Sequence, residues 1–207
     1  MTIENDIRPG LAGYWDRFVG PRASRVESAG TLAAVAAAAR WGDVGLAPGR
    51  GTRRGRALLR LAAIDLWGGA WVNNTPACVR WYERRGQGPR EHLGFAALHV
   101  LHPALIGWLD SADGRRSRRS ATTWTLGHYA WMLGSAAVIT NTPARRRLTT
   151  AAAATAAGLC LDRLLGPSPA APWFAPVYYT KLLIGHAAGS VWDPAADAPR
   201  DDTGGHQ

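Results

Sequence analysis

One long uncharged stretch constrains the fold of this chain more than any other feature. Between Arg119 and Arg145 the sequence contains no Asp, Glu, Lys or Arg. About 20 consecutive apolar residues are enough for a helix to cross a bilayer. A second stretch, residues 92–109, is nearly as long, and its only ionisable side chains are histidines. Both stretches predict helices that are buried, either in a membrane or in a tightly packed bundle.

Helical spacing of apolar residues recurs along the chain, and strand signals are scarce. Clusters of Gly, Pro and Arg between the apolar segments predict loops. The length of 207 residues fits one domain. We predict an all-α bundle of about six short helices embedded in a membrane, as a single domain over residues 1–192, followed by a disordered tail over 193–207. The predicted helical segments are 27–41, 57–82, 91–109, 121–140, 148–165 and 173–190.

Composition favours a membrane location but gives no orientation. Charged residues make up 19% of the chain, which is below the roughly 25% typical of soluble domains, and there are ten tryptophans. Arginine occurs in every connection as far as residues 145–147, so the positive-inside rule does not distinguish the two sides. We expect a multi-pass protein of the cell membrane, with residues 121–140 as the best transmembrane candidate. The slightly negative mean hydropathy of −0.13 favours the alternative, a soluble cytoplasmic bundle.

The net charge of +9 comes almost entirely from arginine, because Lys181 is the only lysine. This charge favours anionic lipid headgroups over nucleic acid, since the arginines fall in separate short clusters with no nucleic-acid-binding module. Cys78 and Cys160 are far apart and predict neither a disulfide framework nor a structural zinc site. The expected partners are membrane lipids, an apolar small-molecule substrate, and a partner protein or a second copy of the chain.

Three stretches carry a resemblance: GYWDRFVGPRASRVE (13–27), DLWGGAWVNNTPACVRWYERRGQG (65–88) and WFAPVYYTKLLIGH (173–186). Together they resemble a group of small bacterial proteins described only as uncharacterised integral-membrane proteins. The resemblance spans most of the chain and implies a polytopic helical membrane protein. It implies no activity.

Histidines within apolar segments are the side chains best suited to bind a metal. Three of them share one face of the helix predicted over 91–109, and two further segments supply one each. A buried imidazole needs a polar partner, and a metal ion collects several neutral imidazoles. The alternative is structural, with each ring donating to a backbone carbonyl. We predict iron, as non-haem iron or haem, bound by His92, His99, His102, His128 and His186.

A second group of polar residues occurs near the predicted helix break at Pro76. Asp65 lies among apolar neighbours, where a carboxylate pairs, binds an ion or relays protons. Gly68 and Gly69 would let another segment approach closely. We predict Asp65 as a ligand or proton relay, Asn73 as an orienting group, and Lys181 as a catalytic residue or as the ionic partner of Asp65.

These residues together predict a membrane-embedded, metal-dependent oxidoreductase. A zinc hydrolase would use the same ligands. The main alternative is a non-enzymatic polytopic membrane protein that acts in transport, assembly or as a scaffold. A further alternative is a Mg²⁺-dependent transferase or cyclase acting on an isoprenoid diphosphate, with Asp65, Asn73 and Glu83 near the metal, although the sequence has no DDxxD-like cluster.

Overall fold

The computed structural model describes residues 3–46 and 51–192, and the prediction of an all-α fold is confirmed for them. None of these residues lies in a strand. A 3₁₀ turn at Ile3–Asp6 precedes the first helix, and a π-helical turn at Thr180–Ile184 lies in the last helical segment. The α-helices are α1 Leu11–Val19, α2 Arg25–Trp41, α3 Arg53–Val72, α4 Pro76–Tyr82, α5 Pro89–Leu98, α6 Leu101–Ala112, α7 Arg118–Thr140, α8 Ala144–Leu165, α9 Phe174–Tyr179, α10 Gly185–Ala187 and α11 Gly189–Trp192.

Local capping signals fix where several helices begin. At α2 the Ser24 side chain accepts a hydrogen bond from the Glu27 amide, and the Glu27 carboxylate accepts one from the Ser24 amide, which forms a capping box. At α4 the Thr75 hydroxyl accepts from the Cys78 amide, and Pro76 occupies the first helical position. These caps satisfy backbone amides that have no partner within the helix.

Two of the predicted helical segments are broken in the structure. Segment 57–82 divides into α3 and α4 before Pro76, and segment 91–109 divides into α5 and α6 just before Pro103. Proline has no amide hydrogen, so Pro103 leaves the carbonyl of His99 without its usual helical donor. The His102 amide and the Tyr178 hydroxyl donate to that carbonyl instead, each at 3.3 Å. The short helix α1 was not predicted, and the predicted tail, 193–207, lies outside the described residues.

The C-terminal helical segment, which runs from α9 to α11 over residues 174–192, forms the centre of the bundle. It contacts α3, α7 and α8, while α2 packs on α3 and α6 packs on α7. Tyr178, Tyr179, Leu182 and Leu183 are fully buried, and they join a continuous core with residues such as Trp124 of α7. Lys181 therefore lies in a segment that is surrounded by other helices.

Two helical stretches of the described chain are long and apolar enough to cross a bilayer: Pro89–Ala112, which includes α5 and α6, and Ala144–Leu165, which is α8. Length and composition alone support this, and the core helix of a soluble protein can share both properties. The preferred candidate of the sequence analysis, residues 121–140, is not one of the two. Its helix α7 contains Thr, Ser, Trp, Tyr and His side chains that lower its mean hydropathy.

Candidate metal centre

Three side chains with metal-binding atoms meet where α3 crosses the break between α5 and α6. Asp65 lies on α3, His99 ends α5 and His102 lies in the first turn of α6. One ligand atom from each residue lies within 4.8 Å of the other two, the single such group of His, Cys, Asp or Glu within residues 3–46 and 51–192. The rings of His99 and His102 are stacked, with centroids 5.2 Å apart. The break before Pro103 thus places two imidazoles beside one carboxylate.

Hydrogen bonds determine which ring atoms face the carboxylate. Nε2 of His102 donates to Oδ2 of Asp65 at 3.0 Å. Nδ1 of His99 donates to the carbonyl oxygen of Phe95, one turn earlier, at 2.8 Å. A neutral His99 therefore presents the lone pair of Nε2, which lies 3.8 Å from the same Asp65 oxygen. Two acceptors that face each other favour a cation between them, and metal-binding histidines commonly donate their other N–H to a backbone carbonyl.

Lys181 contacts the same carboxylate oxygen as the two histidines. Its Nζ lies 2.5 Å from Oδ2 of Asp65 and 3.2 Å from the Asp65 carbonyl oxygen. The side chain of Lys181 is buried and passes directly over Gly69, where a β-carbon would overlap with it. Gly69 thus permits the close approach that the sequence suggested, and Lys181 is the ionic partner of Asp65.

The charges of this pair influence each other. Burial raises the pKa of Asp65, but the hydrogen bond from His102 and the Lys181 ammonium outweigh it, so the pKa falls well below its ordinary value. Burial lowers the pKa of Lys181, and the Asp65 carboxylate opposes that effect only in part. Asp65 is therefore an ionised carboxylate at neutral pH, whereas Lys181 loses its proton more readily than an exposed lysine does.

A cavity of about 320 Å³ adjoins the cluster. Phe95 lines this cavity, and its ring centroid lies 4.6 Å from that of His99. Asn73, the predicted orienting residue, lies in the cavity wall, and its amide donates to the Lys181 carbonyl at 3.2 Å. The other lining residues are Cys78, Val79, Tyr82, Glu83, Gln87, Glu91, His92, Leu98, Gly185 and His186.

The other three predicted histidines lie outside the cluster, so the expectation of five converging imidazoles is not met. His92 and His186 line the cavity, where His92 donates to the Tyr82 carbonyl at 2.9 Å and His186 donates to the Leu182 carbonyl. His128 is fully buried, and its Nδ1 lies 2.7 Å from the Tyr179 hydroxyl. Each of these three rings therefore forms a hydrogen bond with a group other than the cluster.

Two partners of the histidines were not predicted from the sequence. The Phe95 carbonyl fixes the tautomer of His99, and the spacing of four residues within one helix was a signal for it. Asp162 lies beside His128, with Oδ1 at 3.2 Å from Nε2, although the two residues belong to different helices. No sequence spacing connects them, because the contact depends on how α7 packs on α8.

Fold and site together define an all-helical protein that carries two histidines and one carboxylate in a cluster beside a mainly apolar cavity. No protein family, curated protein or solved structure matches the chain.

Proposed function

We propose that this chain is a metal-dependent oxidoreductase in which Asp65, His99 and His102 bind one ferrous ion. The observation that carries the proposal is the grouping of two imidazoles and one carboxylate within 4.8 Å. This ligand set is typical of non-haem Fe(II) oxygenases, because it leaves coordination positions open for substrate and oxygen. Haem fits less well, since two stacked rings on the same side cannot ligate opposite faces of a porphyrin.

Lys181 has a specific role in this proposal. Without a metal, its ammonium neutralises the Asp65 carboxylate in a partly buried site. A dication at the cluster would take over that role and displace the ammonium from Oδ2. The Lys181 amine would then remain beside the cluster, where it would exchange a proton or a hydrogen bond with a bound molecule, which is the catalytic role expected of it.

The cavity beside Phe95 supplies a place for the substrate. Its walls are mainly apolar, and such pockets generally hold small apolar molecules oriented by a few polar groups. The ring of Phe95 lines the cavity and also contacts the ring of His99. An apolar molecule bound there would have one end next to the metal.

A multi-pass location in the cell membrane is part of the proposal. It is supported by large apolar side chains exposed on the two candidate spans: Leu98 and Leu101 are 71% and 70% exposed, and Leu164 is 85% exposed. Fractionation of cells tests this location. We expect the protein in the membrane fraction after a wash with alkaline carbonate, whereas release into the soluble fraction would support the cytoplasmic alternative.

Metal binding is tested by anaerobic titration of the purified, chelator-treated protein with Fe(II). We expect one ion per chain, and at least a 100-fold loss of affinity in His99→Ala and in His102→Ala, which each remove a ligand. His92→Ala is the matched control, because this histidine lies outside the cluster, and its affinity should equal that of the wild type. Circular dichroism checks that each variant is folded. A preference for Zn²⁺ over Fe(II) would support a zinc hydrolase instead.

The ion pair between Asp65 and Lys181 favours one competing function. In a non-enzymatic membrane protein the cluster would only join α3 to the C-terminal segment. That alternative predicts a folded protein with no affinity for Fe(II), Zn²⁺ or Mn²⁺, and this result would overturn the enzymatic proposal.

A further inference from the structure

The wall of the cavity beside Phe95 carries acidic side chains, although the protein as a whole is basic. The chain carries a net charge of +9, yet no lysine or arginine lines the cavity. Its charged lining residues are Glu83 and Glu91. A cavity that is both mainly apolar and locally acidic favours a ligand with a hydrocarbon body and a positive charge.

The remaining polar groups in the wall add acceptors to the two carboxylates. The Glu83 side chain makes no hydrogen bond or ion pair with any other residue in the described ranges. Nε2 of His92 donates to the Tyr82 carbonyl, so a singly protonated ring keeps Nδ1 as an acceptor. Both ring nitrogens of His186 face backbone carbonyls, those of Leu182 and His92. A ligand that donates hydrogen bonds is therefore matched better than one that accepts them.

Two aromatic rings complete the recognition surface. Tyr82 and Phe95 both line the cavity, and their ring centroids lie 5.8 Å apart with the planes tilted by 53°. Aromatic faces bury hydrocarbon and also attract organic cations. The same rings would repel an anionic group placed over them.

Glu91 lies toward the end of the cavity away from the metal cluster. Glu91, Phe95 and His99 follow one another at intervals of one turn along α5, so that Glu91 and His99 are about 12 Å apart along the helix axis. A ligand with its charge beside Glu91 would extend its hydrocarbon part past Phe95 toward His99.

Three arginines near Glu83 line a second cavity and not this one. Arg80, Arg84 and Arg85 line that second cavity together with Glu83. The guanidinium of Arg84 is held there by the Glu4 carboxylate at 3.0 Å and by the Trp81 ring, whose centroid lies 3.7 Å away.

We propose that this cavity binds organic amines, in which a protonated amino group meets Glu83 and Glu91 and an apolar body contacts Tyr82 and Phe95. That such an amine is also the substrate rests on the proposed function. The binding of the amine does not depend on that function, because none of the three side chains proposed to bind the metal lines the cavity.

Calorimetry on the full-length, chelator-treated protein in a non-ionic detergent tests the proposal with three probes of equal length: 4-phenylbutylamine, 4-phenylbutanol and 4-phenylbutanoate. We expect the amine to bind at least tenfold more tightly than the alcohol, and the carboxylate to bind most weakly. Detergent alone gives the background for each probe.

The double variant Glu83→Gln/Glu91→Gln should lose at least tenfold in amine affinity while alcohol affinity stays within about twofold. Glutamine keeps the size of the side chain and can retain the capping hydrogen bond that Glu91 accepts from the Gly88 amide. The control Asp6→Asn/Asp113→Asn makes the same change in net charge away from the cavity. Should the double variant fail to fold, Glu83→Gln alone gives the test, since Glu83 is exposed.

Equal binding of amine and alcohol, or amine binding that is unchanged in the glutamine variants, would overturn the proposal. The result is independent of the iron titration. Amine binding by a protein that binds no Fe(II) would refute the oxidoreductase and leave the amine site standing. Fe(II) binding without amine binding would overturn the amine site and leave the oxidoreductase standing.

Discussion

The Lys181 ammonium and the Asp65 carboxylate form an ion pair at the cluster of Asp65, His99 and His102. Nζ of Lys181 lies 2.5 Å from Oδ2 of Asp65, and it also donates to the carbonyl oxygen of the same residue. The lysine belongs to the central C-terminal segment and the aspartate to α3, so the pair links two parts of the core. The Lys181 ammonium therefore already lies beside the Asp65 oxygen to which a metal would bind.

Lys181→Met should raise the affinity of the cluster for divalent metals by about tenfold or more. Two cations a few Å apart repel each other, by several kcal/mol at the effective dielectric constant of a protein. The substitution removes that repulsion and keeps a long apolar side chain over Gly69. The measurement is Fe(II) titration of the variant and of the wild type under the same conditions.

The same substitution should lower the thermal stability of the metal-free protein, because it removes the positive partner of a partly buried carboxylate. Metal should therefore raise the melting temperature of Lys181→Met more than that of the wild type. Asp65→Asn is the companion variant, in which metal binding is lost. Destabilisation of Lys181→Met without any response to metal would show that the pair is only structural.

Pro103→Ala should reduce metal affinity by about tenfold at little cost in stability. Alanine supplies the backbone amide that proline lacks, and this amide can donate to the His99 carbonyl as in a regular helix, so α5 and α6 can join into one continuous helix. The rotation at the break that brings His99 and His102 to Asp65 would then be reduced. Fe(II) titration measures the effect, and Pro143→Ala, at the start of α8, is the control. Unchanged affinity would show that the break does not position the ligands.

Much of the helical architecture could be predicted from apolar spacing, because burial of one face is a property of each segment by itself. The need of Asp65 for a partner could also be predicted, since a carboxylate among apolar neighbours requires one. Its pairing with Lys181 was one of the expectations, and the scarcity of lysine made that partner easy to name.

The arrangement of the histidines could not be predicted in the same way. His92 and His99 lie seven residues apart along α5, and seven residues span about 10 Å of helix axis, so His92 lines the cavity while His99 lies at the break beside His102. Whether His128 meets a metal or Asp162 depends on the packing of α7 on α8. Such contacts are set by tertiary structure, which residue spacing does not encode.

His128→Phe should lower the free energy of unfolding by about 2–4 kcal/mol without changing metal affinity. His128 is fully buried, and Nδ1 accepts a hydrogen bond from the Tyr179 hydroxyl at 2.7 Å, while Nε2 makes a 3.2 Å electrostatic contact with Asp162. Phenylalanine fills the space of the ring but leaves both polar groups without their partner. Chemical denaturation measures the loss.

Tyr179→Phe gives the matched comparison for this network. It removes one hydroxyl and should cost less than His128→Phe, and the double variant should cost less than the sum of the two single changes. A loss of Fe(II) affinity in His128→Phe would contradict the assignment of this residue to a separate, structural network.

Acid should remove a stabilising contribution made by Asp43. Its carboxylate lies between Arg56 at 2.8 Å and Arg60 at 3.0 Å, and it ties the chain after α2 to the first two turns of α3. Burial raises the pKa of Asp43, but the two guanidinium groups outweigh it, so the pKa in the folded protein is lowered. The stabilisation is therefore complete above the ordinary aspartate pKa of about 3.9 and is lost as the pH falls through the lower folded value.

Asp43→Asn should accordingly reduce the free energy of unfolding by about 1–2 kcal/mol at neutral pH, because asparagine cannot form the two charge-assisted hydrogen bonds. The difference between variant and wild type should stay constant from about pH 7 to pH 5 and should shrink below about pH 4. Denaturant midpoints measured at several pH values check this, with the exposed Asp113→Asn as the control. A difference that persists undiminished at pH 3 would mean that Asp43 keeps its charge there, or that the amide is destabilising for a steric reason.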